Sequence, residues 1–181
     1  MTFSKKIFSF GVAQLIDRLI SFSLVPTLLF FITLEEYAIW SQIIIVVGIV
    51  APILHLGMPQ ALIKYLPIVE KRSDEFFLCV LITYVPFILL VSFFIILFTN
   101  FFTFLIFANH ELDTYLFPIV VLVICETLYE IIGAKLRYSE KIKLLSILLI
   151  IKSCNRLLSI CLAILLSGGS LVFAVYLYGF T

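Results

Sequence analysis

The sequence is poor in charge. Asp, Glu, Lys and Arg make up 13% of its 181 residues, against about 25% in soluble domains. Hydrophobic residues reach 64%, against roughly 45–50%. A water-soluble globule would have no polar surface to wear, so the class is an integral membrane protein. Signatures of chemistry are also missing. There is no Gly-rich phosphate loop, no D-x-x-D cluster and no nucleophile elbow. The two histidines, His55 and His110, stand alone and do not form a metal pair. None of the four cysteines, Cys79, Cys125, Cys154 and Cys161, has a C-x-x-C partner. All lie in apolar runs and read as small buried hydrophobes. Nothing argues for an enzyme, a metal or a resident cofactor. The net charge of +1 gives no reason to expect nucleic acid.

What is present is a set of long uncharged runs. Residues 37–63 carry no charge, nor do residues 76–110. The first run is ample for one span of about 20 residues. The second is too long for one span and too short for two with a turn. One span followed by an interfacial piece, "FFTFLIFA", fits it. The expected fold is all-α, a polytopic helix bundle. Its spans lie at about 8–33, 38–63, 76–98, 114–135 and 144–166, with a sixth begun at 171–181 after the Gly168–Gly169 turn. The N-terminal run is broken by Asp17 and Arg18 and lacks a small-x-small cleavage site, so it reads as a retained first helix.

Lys and Arg favour cytoplasmic loops. With the N-terminus inside, nine of the 12 basic residues fall on the cytoplasmic side. They are Lys5 and Lys6, then Lys64, Lys71 and Arg72, then Lys135, Arg137, Lys141 and Lys143. The outer loops hold Glu35, Glu36, His110, Glu111 and Asp113 and no Lys or Arg. Two spans in 76–110 would put Lys135–Lys143 outside, so the charge rule also prefers one. Tyr37, Trp40, Tyr65, Tyr115 and Tyr138 fit interfacial belts. Prolines 26, 52, 59, 86 and 118 lie within spans, and the sharpest bend is expected at "LHLGMPQAL", where Gly57 and Pro59 fall together.

Six charges remain inside the spans: Asp17, Arg18, Glu126, Glu130, Lys152 and Arg156. Each costs at least ~2.5–3.5 kcal/mol near the bilayer centre, so they must face one another or a water-filled cavity. Lys152 and Arg156 share one helix face, which Ser159 extends, and Glu126 and Glu130 share another. Gln14, Arg18 and Ser21 form a stripe on the first helix, with Asp17 beside it. Lys152 and Glu126 both come out about 12–14 Å deep from the cytoplasmic ends. Two readings stand: an ion-pair network that locks three helices, or a hydrophilic cavity that handles an anion or a proton.

The order of these features resembles a known family. Residues 11–67 are similar to the opening of bacterial polysaccharide-biosynthesis flippases, the Wzx-type exporters of lipid-linked oligosaccharide. The similarity is carried by Arg18 on the first helix, "LEEYAIW" (34–40) and "LGMPQALIKYL" (56–66). The basic turn "LRYSEKIK" (136–143) matches a later feature. The resemblance implies the multidrug/oligosaccharidyl-lipid/polysaccharide exporter superfamily, with two six-helix lobes around a cavity in the bacterial cytoplasmic membrane. It implies translocation of an undecaprenyl-diphosphate-linked glycan for O-antigen-, lipopolysaccharide- or capsule-like polysaccharide. Arg18, Lys152 and Arg156, with Gln14, would then line the substrate cavity. Asp17, Glu126 and Glu130 would pair with them or carry a coupling proton or sodium ion. Equal numbers of acids and bases depart from a simply positive cavity. One lobe, less most of its last helix, is accounted for, so the sequence reads as the N-terminal lobe of a longer transporter, with a C-terminal lobe and membrane lipids as partners, or else as a short protein that dimerises to rebuild a two-lobed cavity. The alternatives are a cation-coupled multidrug exporter of the same superfamily, in which the acids matter most, and a non-transporting membrane assembly subunit.

Overall fold

A computed structural model describes residues 3–69 and 72–167. The expected start of a sixth helix at 171–181 and the Gly168–Gly169 turn lie outside the described residues, as does the side chain of Ser159. Every regular element described is helical. In order these are α1 (Phe3–Phe31), α2 (Leu34–Leu54), α3 (Met58–Tyr65), α4 (Ser73–Leu97), α5 (Thr99–Phe107), a 3-10 segment (His110–Tyr115), α6 (Leu116–Tyr138) and α7 (Ile142–Ser167).

Among the described residues, four stretches are long and apolar enough to cross a membrane: Phe10–Phe31, Leu34–Leu54, Ser73–Leu97 and Glu111–Tyr138. The expected fifth span, 144–166, falls within the 26 residues of α7. The uncharged run 76–110 forms one long helix, α4, and then the nine-residue α5 after a turn at Phe98. Phe22, Phe30, Phe93 and Phe101 stand exposed. An apolar surface of this extent calls for lipid or protein, not water.

Three expectations need correction. The span placed at 38–63 is two helices, because Leu56 and Gly57 both take positive φ (47° and 71°) and end α2. Trp40 and Tyr115 are buried within the protein instead of facing the interface. Cys79, Cys125 and Cys154 are exposed, not buried; in a membrane the apolar surroundings of a thiol are lipid as readily as protein. The prolines behave according to position. Pro26, Pro52 and Pro86 lie inside continuous helices. Pro59 and Pro118 lie in the first turns of α3 and α6, where no N–H partner is lost.

The chain divides into two compact units. The first comprises residues 1–41 and 140–181, the second 42–139. In the first, α1 packs along α7. The start of α2 carries a capping box. The Thr33 N–H and hydroxyl each donate to Glu36 Oε2 at 2.9 Å, and the Glu36 N–H donates back to Thr33 Oγ1 at 3.3 Å. Such reciprocal bonds satisfy helix-end donors that would otherwise lack partners.

In the second unit, α3 and α4 pack against α6. Leu62, Leu66, Tyr84, Ile88, Ile131 and Ala134 form the core. The break at 55–57 shifts the backbone bonding. The Met58 N–H donates to the His55 carbonyl at 2.7 Å, not to Leu54 as a continuing helix would require. The Leu54 carbonyl instead accepts from the Tyr84 hydroxyl of α4. At the other end of α4, Asp74 meets Lys135 of α6 at 2.7 Å. The Lys135 ammonium also lies 5.6 Å from the Phe77 ring and 5.5 Å from the Tyr138 ring. Its side chain is only 14% exposed, whereas Asp74 is 89% exposed. The rings and the carboxylate together offset the desolvation of the ammonium.

Candidate functional site

The candidate site grows from the contact between α1 and α7. A helix turns about 100° per residue, so Ala13, Asp17 and Ser21 share one face of α1. On α7 the matching face carries Ser146, Ser153 and Arg156 at the same period. The Ser153 hydroxyl donates to Asp17 Oδ1. Four residues along α1 and three along α7, the Arg156 guanidinium donates to Ser21 Oγ at 3.1 Å. Contacts that advance together in this way mean that α1 and α7 run in the same direction. Ser153 is fully buried, and Asp17, Ser21, Lys152 and Arg156 are half-buried.

Ser153 Oγ lies within reach of both Asp17 Oδ1 and the Leu149 carbonyl, the latter at 2.9 Å. A hydroxyl has one proton, so Ser153 donates to one of the two acceptors at a time.

Five of the seven expected site residues lie on these two helices: Gln14, Asp17, Arg18, Lys152 and Arg156. The stripe expected on α1 is shifted by one position. Asp17, not Gln14 or Arg18, belongs to the face that meets α7. Gln14 and Arg18 are exposed beside it. Residues 13 and 17 share the same four-residue spacing as 14 and 18, so periodicity does not separate the two stripes. Ser153 was not singled out from the sequence at all. Its signal, a small polar residue three positions before Arg156, is weak beside the charge of Lys152.

Glu126 and Glu130 lie on α6 in the second unit. Both are half-buried. Glu130 accepts from Arg137 at 3.0 Å, two turns further along the same helix. Arg137 was counted with the loop cations, but α6 continues through Tyr138, so Lys135 and Arg137 form its last turn. Cations there complement the partial negative charge of the helix end. Among the described residues, no cluster of three or more His, Cys, Asp or Glu side chains is arranged to hold a metal.

No curated protein and no solved structure matches the chain at a significant level. A family model described as "Polysaccharide biosynthesis protein" matches residues 3–180. With its apolar membrane-length helices, the chain is a membrane protein, and it belongs to the polysaccharide biosynthesis protein family.

Proposed function

We propose that the protein moves a polyprenyl-diphosphate-linked oligosaccharide across the bacterial cytoplasmic membrane, as a transporter and not an enzyme. The observation that carries this reading is the polar seam between α1 and α7, in a chain of the polysaccharide biosynthesis family. Along a membrane-length helix, charged side chains such as Arg18, Lys152 and Arg156 pair with one another or with polar groups, or mark the path of an ion or substrate. A diphosphate fits, because guanidinium groups bind phosphate oxygens with paired, charge-assisted hydrogen bonds. The seam positions Arg156 through Ser21. It also leaves Arg18 and Gln14 exposed, where a substrate headgroup can reach them.

In this reading the N-terminus is cytoplasmic, α7 is a fifth span, and the lobe works with a second lobe to enclose the glycan. Asp17 carries the coupling proton, with Ser153 as its relay partner. Cation-coupled drug export by the same fold is the second reading, and the half-buried carboxylate of Asp17 within the seam is the observation in its favour. Vesicles containing the full protein and a labelled undecaprenyl-diphosphate oligosaccharide separate the two. Glycan lipid that becomes accessible on the opposite leaflet, at a rate above protein-free vesicles, supports the proposal. Drug uptake without glycan movement overturns it.

A further inference from the structure

The contact between α1 and α7 opens at one end into a groove of about 390 Å³, many times the ~30 Å³ share of one water. Phe8, Val12 and Ala13 of α1 and Ile147 and Ile150 of α7 supply its apolar walls, and Lys143 stands at its lip. The one hydroxyl inside, that of Ser146, already donates to the Ile142 carbonyl at 2.9 Å. The walls therefore ask for no hydrogen-bonding guest. An open groove with apolar walls is suited to an apolar occupant, since a polar group there would lose its hydrogen-bond partners.

The charge at this end of the helices has one dominant sign. Lys5 and Lys6 lie in the first turn of α1, and Lys141 and Lys143 at the start of α7. Because the two helices run in parallel, all four lie at the same end. Glu140 is the one acid among them. An apolar trough that ends in cations is complementary to a molecule with a hydrocarbon chain and an anionic head. Basic pockets between membrane helices bind anionic lipid headgroups on this principle.

We propose that this groove binds one anionic phospholipid of the bilayer, with an acyl chain along Phe8, Val12, Ala13, Ile147 and Ile150 and the phosphate on Lys143. The lipid fills the groove at the end of the α1–α7 contact and supports the seam that holds Asp17 and Arg156. The site is separate from the one proposed for the glycan carrier, and its occupancy does not depend on transport.

Native mass spectrometry of the full protein, released from vesicles of phosphatidylglycerol and phosphatidylcholine, tests this directly. One retained phosphatidylglycerol, preferred over phosphatidylcholine, is expected. Lys143→Gln, at an exposed position, should lower its retention roughly fivefold, the effect of about one lysine at a membrane surface. Ile147→Trp should block the groove and lower retention of either lipid, with circular dichroism confirming that the helices persist. Equal retention of the two lipids, or an unchanged Lys143→Gln variant, overturns the proposal. So does displacement of the lipid by millimolar inorganic phosphate, which would mean that Lys143 reads a free anion and not a lipid.

Discussion

Ser153 of α7 donates its hydroxyl proton to Asp17 of α1 across 136 residues of sequence. One turn on, the Arg156 guanidinium donates an N–H to Ser21 Oγ. These two bonds fix the register of two parallel helices, and they do so with the residues that hydropathy alone would exclude from a membrane. In lipid the helices gain nothing from hiding apolar surface from one another, so packing and polar ties must hold them.

The tie is measurable as a coupling energy. Asp17→Asn and Ser153→Ala should each destabilise the folded protein in bilayers, and the double variant should lose less than the sum. A coupling of about 0.6–1.7 kcal/mol is expected from interhelical hydrogen bonds in membranes. Unfolding of the unaltered protein and the three variants in bicelles measures it. Strict additivity would mean that the pair does not interact.

Tyr84 serves the backbone. Its hydroxyl satisfies the Leu54 carbonyl that the break at 55–57 leaves without a helix partner. Tyr84→Phe should therefore lower stability by about 1–2 kcal/mol while leaving the core packing of the ring intact. Thermal unfolding in detergent checks this. An unchanged midpoint would show that water reaches the carbonyl.

Gly57 is needed for its conformation, not its size. A Cβ there would meet nothing within 4 Å, yet φ is +71°. Gly57→Ala should cost about 1–2 kcal/mol through backbone strain alone. The same substitution at Gly48, inside α2 with equally open space, should instead stabilise by up to ~1 kcal/mol. The same unfolding assay compares them, and equal effects at both sites would contradict the assigned break.

Thr33→Ala should weaken the start of α2 by about 0.5–2 kcal/mol, because it removes the Oγ1 that accepts the Glu36 N–H and donates to Glu36 Oε2, while the bond from the residue 33 backbone N–H remains. Hydrogen exchange at the first amides of α2 is the readout. Faster exchange confined to that turn is expected, and unchanged protection would mean that the box contributes nothing.

Much of this was legible in the sequence, for definite reasons. The long uncharged runs fixed helices, and Gly57 beside Pro59 marked the one break within an expected span. What was not legible was rotation about a helix axis. Asp17 and Arg18 are neighbours in sequence, and only packing decides that Asp17 meets α7 while Arg18 does not. Ser153 was invisible for the same reason, since a serine is ordinary until its partner is known. Arg137 was assigned to a loop because helix ends blur over a few residues, and its pairing with Glu130 appeared only when α6 ran on to Tyr138.

The central claim is that the bases on α1 and α7 engage the diphosphate of a lipid-linked glycan. Translocation by the full protein in vesicles, compared with the variant carrying Arg18→Gln, Lys152→Gln and Arg156→Gln together, tests it most directly. The account predicts at least a tenfold slower appearance of glycan on the opposite leaflet, with the variant still folded by circular dichroism. Translocation at the unaltered rate with all three charges removed would contradict it.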